Sequence, residues 1–395
     1  MRRRVQRSAA ALLVAVACAL AATPTFSKTI AVPLRLENNR PYIDVRVLGA
    51  GGRPVRGHFY LDTGGGALVV SKGFAQRAKL VPAGPAIKDG GVTLMPIQLP
   101  KFFLGGAPVS VAGVAGYVAE RRAGGLQGTD ADGVIPVRAL RQYVVTLDFA
   151  GRRFRLSERG AAEDGRLVPG TVTKVGMPVV EAVIAGHRYG FLLDTGATYS
   201  MLDEDLLADL ERAHPSWLHR IGPIGPADML IGPDEVGAPM LRLGEVSLGA
   251  FTLLGVGVIG RPGATYRGFM SRMLGTRVVG SLGDNVWRNY TVTVDFPNGQ
   301  IRIKGAYRLE VPRMGYPPLT FEPAGRSYRI AFAGAQCHGL QIGDRLIAAG
   351  GVRLDGATLA RLLETLSGPP GAVLDLKLKR GGATLAASCR RVALP

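Results

Sequence analysis

The chain repeats itself. Phe59-Tyr60-Leu61-Asp62-Thr63-Gly64 returns 132 residues later as Phe191-Leu192-Leu193-Asp194-Thr195-Gly196. Leu104-Gly105-Gly106 returns as Leu248-Gly249-Ala250 at an offset of 144. Gly133 and the run Arg141-Gln142-Tyr143-Val144-Val145-Thr146-Leu147-Asp148-Phe149 return at 147, as Gly280 and Arg288-Asn289-Tyr290-Thr291-Val292-Thr293-Val294-Asp295-Phe296. Three landmarks in one order mean two homologous lobes. The growing offset places about a dozen extra residues in the second lobe, after its Asp-Thr-Gly.

Each lobe reads as β. Segments 42–48, 109–114, 144–149, 179–184 and 292–296 are short and rich in β-branched residues, and several alternate in polarity. With 55 Gly and 26 Pro in 395 residues, tight turns are favoured over long helices. Asn38-Asn39, Gly49 to Gly52, Asp89-Gly90-Gly91 and Pro297-Asn298-Gly299 mark hairpin turns. Helical patterns are few: 203–213, 266–274 and 358–366. The expected fold is mainly β, two-lobed about a pseudo-two-fold axis, with a small α+β unit after it. The division is 1–22 export signal, 29–160 lobe one, 165–308 lobe two and 312–395 third unit.

The export reading rests on Arg2, Arg3, Arg4 and Arg7, an apolar stretch 9–22, and small residues offering a cleavage site at Ala19-Leu20-Ala21. It predicts a periplasmic or secreted protein. An uncleaved anchor is one alternative, and an envelope lipoprotein with Cys18 as lipid acceptor is another. No apolar run reaches the roughly 18 residues of a spanning helix. Without those four Arg, 44 basic residues face 30 acidic ones. They are scattered along the chain and form no recognition motif, so no nucleic-acid partner is expected, whereas attraction to an anionic envelope surface is compatible. Beyond Cys18 only Cys337 and Cys389 remain, an even pair for which bonded and free states both stay open.

The chemistry lies in the repeated Asp-Thr-Gly. Composition alone gives about 0.13 such triplets, so one copy would be weak evidence. Two copies at matching positions, each ending an apolar strand, are stronger. A carboxylate there is costly unless it has partners. Two brought together by the lobe symmetry share one proton, because adjacent like charges do not both ionise cheaply. One then acts as base toward a water while the other, protonated, polarises a carbonyl.

On these residues both lobes resemble retropepsin-like aspartic proteases, here in tandem in one pepsin-like chain, over about residues 30 to 305. The resemblance implies Asp62 and Asp194 as catalytic carboxylates. It implies Thr63 and Thr195 as crossed hydrogen-bonding partners, and Gly64 and Gly196 as close-approach donors, with Ala197 beside them in support. It also implies a later apolar-apolar-Gly support, present as Ser281-Leu282-Gly283. Lobe one departs at Val134-Ile135-Pro136, where Pro replaces that Gly, and at Gly65, where Ala, Ser or Thr is usual. A cover over the site is expected at the hairpin tip Gly90-Gly91, a substrate-binding position, and at 214–237, where Ile-Gly-Pro occurs three times.

The third unit carries Gly339-Leu340-Gln341-Ile342-Gly343-Asp344-Arg345-Leu346-Ile347, a turn at Gly350-Gly351, an amphipathic helix from Thr358, Gly368-Pro369-Pro370-Gly371, and the strand Val373 to Leu378. That order resembles a PDZ domain of the bacterial envelope-protease type, which implies a peptide ligand.

Other signals are weaker. Gly255-Val256-Gly257-Val258-Ile259-Gly260 fits a dinucleotide pattern, but Arg261-Pro262-Gly263 follows where a helix must start, and the repeat register makes the segment a barrel strand aligned with 111–116. No serine-nucleophile elbow occurs. His214 and His219 are wrongly spaced for a helical metal pair, and His58 and His187 read as strand-surface residues. The expectation is an exported aspartic endopeptidase acting on polypeptides, with no cofactor or metal. The alternative is an inactive peptide-binding scaffold of the same fold.

Overall fold

The computed structural model describes residues 29–89, 92–120, 131–158, 164–224, 236–325 and 327–395. The chain is mainly β, and the duplication holds down to strand register. In lobe one Pro54–Asp62 runs parallel to Gly133–Pro136, with Phe59 opposite Gly133 and Leu61 opposite Ile135. In lobe two His187–Leu193 runs parallel to Gly280–Leu282, with Phe191 opposite Gly280 and Leu193 opposite Leu282. The strands after each Asp-Thr-Gly, Leu68–Ser71 and Ser200–Asp203, complete the pattern with Val70 against Gly133 and Leu202 against Gly280.

The repeated glycine has a steric reason. A Cβ on Gly133 would fall 2.2 Å from Phe59 Cε1, and one on Gly280 2.9 Å from Phe191 Cε1. Each lobe seats its repeated Phe, fully buried, over bare backbone. Burial of such a side chain stabilises by about 1.5–3 kcal/mol, and Phe59 also packs edge-on against Phe74 and Phe102.

A six-stranded sheet joins the lobes, with Val144–Asp148 and Thr291–Asp295 antiparallel at its centre. Thr146 lies opposite its repeat partner Thr293, their hydroxyls 3.1 Å apart. The pseudo-two-fold axis therefore passes between them. Buried residues of both lobes form one continuous core.

Two helices begin where a capping side chain stands before the apolar pattern. Asp203 accepts from the N–H groups of Asp205 and Leu206 at the head of Glu204–Ala213, and Thr358 accepts from Arg361 N at the head of Leu359–Leu366. The expected helix at 266–274 is instead a π-helical turn, Ala264–Met270, followed by one α turn, Ser271–Leu274. The helix Lys72–Ala78, capped by Ser71, was not anticipated.

The expected strand 109–114 is corrected. Pairing stops at Val109, because Gly113 takes a left-handed conformation (φ 72°) and Ser110 N is turned toward the Tyr143 hydroxyl. The next strand is Gly116–Glu120. It sets Gly116 against Leu68, as Val258 is set against Ser200, so Gly116 aligns with Val258 rather than Gly260. The glycine-rich 255–260 segment lies inside the strand Phe251–Arg261.

The third unit has its own seven-stranded sheet, packed with the helix Leu359–Leu366. A disulfide between Cys337 and Cys389 ties Cys337–His338 to Ala383–Arg390. Leu319, Leu346, Leu366 and Leu394 share a core with Tyr199, Met240 and Ile259 of lobe two. Val392–Ala393 pairs with Gly315–Tyr316, Arg391 Nε donates to Leu366 O at 2.7 Å, and the Tyr199 hydroxyl donates to the Pro395 main-chain oxygen. The third unit is thereby stitched to lobe two. Among the described residues no helix is long and apolar enough to cross a membrane. The export signal and Cys18 lie outside the described residues.

Candidate active site

Each Asp-Thr-Gly leaves the end of a buried strand, and the symmetry points the two loops at each other. The Thr63 hydroxyl donates to Leu193 O (2.6 Å) and accepts from Thr195 N (2.9 Å). The Thr195 hydroxyl donates to Leu61 O (2.9 Å) and accepts from Thr63 N (3.2 Å). Four crossed hydrogen bonds thus lock loop to loop, and both Thr are fully buried. Gly64 N donates to Asp62 Oδ1 at 2.9 Å and Gly196 N to Asp194 Oδ1 at 3.0 Å. Neither glycine tolerates a side chain here. A Cβ on Gly64 would lie 2.8 Å from Asp194 Cγ, and one on Gly196 2.5 Å from Asp62 Oδ1.

The two loops bring the carboxyl groups together, the backbone of Gly64 lying against Asp194 and that of Gly196 against Asp62. Burial pushes Asp62 up to about 6. Burial and then the charge of Asp62 push Asp194 higher still, to about 8. The N–H groups of Gly64, Gly65, Gly196 and Ala197 and the Arg40 guanidinium oppose these shifts without overcoming them. The pair therefore holds one proton between them over a wide range. Arg40 is buried and donates through Nε to Gly196 O at 3.0 Å.

Gly65 occupies a tight place: a Cβ there would stand 2.7 Å from Asp62 Oδ2. Its repeat partner Ala197 is buried, and its carbonyl accepts from Asp284 N. Pro136 pairs directly with Asp62 at the end of its strand, so the backbone there is continuous despite the missing glycine. The hairpin Ile87–Asp89 and Val92–Ile97 forms at an edge of the lobe-one sheet, while its tip, Gly90 and Gly91, lies outside the described residues. The expected second cover is corrected in part. His219–Gly222 is a strand paired with Ala238–Leu248, and Ile224 is buried in the core shared with the third unit, so this flank is fixed sheet; 225–235 lie outside the described residues. His58 is remote from the pair's loops, stacked on Tyr42 and held by Glu37 and Asp44.

Lobe two contains residues the sequence reading passed over. Asn285 Oδ1 accepts from both Ser200 N and Ser200 Oγ at 2.8 Å, Ser200 Oγ accepts from Gly283 N, and Asn285 Nδ2 reaches Gly257 O. This brace holds the Asp194 loop from behind. Lobe one has Leu68 and Arg138 at the matching positions, which is the signal that was available. Asp284, opposite Val137 in the repeat, is fully buried, and among the described residues neither carboxyl oxygen has a hydrogen-bond partner. Burial and the nearby Asp194 charge hold it well above the usual carboxylate range. Among the described residues no three His, Cys, Asp or Glu side chains are grouped as metal ligands.

A pH test follows from Asp284. Its folded value lies above its unfolded one, so the folded state retains the proton longer. Stability is then full below the unfolded value, about 3.9, and falls as pH rises toward the folded one. Asp284→Asn removes that loss. The variant is expected to melt at nearly the wild-type temperature at pH 4 and above it at pH 8. Equal melting curves at pH 8 would contradict this.

No family model matches the chain, and a search of curated proteins finds no match.

Proposed function

We propose that the chain is an exported aspartic-type endopeptidase in which Asp62 and Asp194 activate one water. The observation that carries this is the crossed Thr63–Thr195 lock, which presents two buried carboxyl groups to each other with one shared proton. In this reading the Asp62 carboxylate takes a proton from water as the water oxygen bonds to the scissile carbonyl carbon. Protonated Asp194 gives its proton to the carbonyl oxygen. The tetrahedral species then collapses as a proton passes to the amide nitrogen and the C–N bond breaks. The substrate is an extended polypeptide. The third unit, read as PDZ-like, offers a second peptide site, since its strand Leu319–Ala324 is an edge strand of its sheet among the described residues.

The experiment is digestion of casein and a peptide library by the full chain from pH 3 to pH 9, with and without pepstatin. Cleavage inhibited by pepstatin and fastest on the acid side of neutrality is expected. No cleavage at any pH would leave the inactive peptide-binding scaffold, and an optimum well above neutrality would contradict a proton-sharing pair.

A further inference from the structure

Where lobe one, lobe two and the third unit meet, the surface forms an open pocket of about 570 Å³, within the size of small-molecule sites. None of its lining residues belongs to either Asp-Thr-Gly. Lobe one contributes Phe149 and Arg152, lobe two Arg288 and Asn289, and the third unit Met314 and Ser367. The lining holds two guanidinium groups and one carboxylate, Glu364, which lies 4.0 Å from Arg361.

Neither guanidinium has an ion pair among the described residues, and Arg152 is exposed to solvent. Arg288 is half-buried, yet among the described residues its guanidinium has one hydrogen bond, to Asn39 Oδ1 at 2.8 Å, and no ion pair. Arg152 has no side-chain partner among the described residues, and its backbone is strained as well. It sits in the left-handed region at φ 52°, where a side chain is unfavourable. Its repeat counterpart in lobe two is Gly299, at φ 67° in the matching hairpin. The same turn thus takes the cheap residue in one copy and a strained cation in the copy that lines the cavity. Strain kept in this way points to function.

We propose that this junction binds a small organic oxyanion, with its carboxylate or phosphate held by Arg152 and Arg288 and its apolar part on the half-buried Leu36 and Met314. Guanidinium groups suit both headgroups through paired charge-assisted hydrogen bonds. The site stands independently of the peptidase reading.

The test is calorimetric titration of the full chain with hexanoate and with hexyl phosphate, using hexanol and hexylammonium as controls. Saturable one-to-one binding of at least one anion is expected, and which anion binds identifies the headgroup. Arg288→Gln and Arg152→Gly are each expected to weaken it by about tenfold or more. Arg152→Gly also relieves the turn, so its melting temperature should equal or exceed the wild type, separating lost binding from lost folding. Arg353→Gln, an exposed change elsewhere, should leave binding unaltered. The proposal is overturned if neither anion saturates, if hexanol binds as well as the anions, or if both cavity variants bind like wild type.

Discussion

Asp194→Asn is expected to lower turnover by about 10³-fold or more while making the protein harder to melt at pH 8. The first effect follows because an amide neither donates the carboxyl proton to a substrate carbonyl nor shares one with Asp62. The second has the opposite sign for a thermodynamic reason. Asp194 is displaced upward, first by burial and then by the charge of Asp62. Ionising it in the folded protein is therefore harder than in the unfolded chain, and wild-type stability declines as pH climbs from about 4 toward the folded value. Each unit of displaced titration is worth about 1.4 kcal/mol. Asparagine keeps the shape and an acceptor for Gly196 N, and it has no proton to lose. Steady-state cleavage assays and melting curves at pH 4 and pH 8 measure both effects. A variant that loses activity and also melts earlier at pH 8 would mean that the carboxyl is structural rather than strained.

Thr195→Val is expected to be the most destabilising small substitution near the pair. Valine matches threonine in shape, so packing is retained. The loss is the hydroxyl that donates to Leu61 O and accepts from Thr63 N. Two buried main-chain groups lose a partner, a cost of about 2–5 kcal/mol, readable as a lower urea midpoint. Thr63→Val should behave alike, and the double variant should cost less than the sum, because both hydroxyls serve one lock. Thr146→Val provides the internal comparison. Its hydroxyl meets Thr293 across the same axis but touches neither Asp-Thr-Gly loop, so only one buried group loses a partner and a smaller loss of about 1–2 kcal/mol is expected, with unchanged turnover. Equal losses for Thr195→Val and Thr146→Val would remove the special status of the lock.

The repeat made most of the architecture legible. Gly133 and Gly280, matched from sequence, prove to hold equivalent places in the two lobes, each opposite its own Phe. Helix starts were readable where a capping side chain preceded a clear apolar pattern, at Asp203 and Thr358. The helix Lys72–Ala78 was not, since seven residues with a Gly inside show too little periodicity and its end at Lys79 lacks the usual glycine. Segment 109–114 alternates like a strand, and only the conformation of Gly113 shows why it does not pair. The facing of Asp62 and Asp194 was legible because it depends on symmetry. Asp284 and the Ser200–Asn285 brace were not, because they arise where the lobes differ, and a search for likeness passes over differences. The junction cavity needed all three units in place.

The contact between Tyr199 and Pro395 spans 196 residues. Ribosomes deliver a polypeptide from its amino end, at about 5–20 residues each second. Lobe two can therefore fold around its own repeat early, yet the slot beside Gly257 waits about seven seconds or more for its filler to emerge. The residues around Tyr199, only five beyond Asp194, reach this packing only once residue 395 has been made. A nascent fragment of this chain therefore carries both acids before it carries the clasp beside Tyr199.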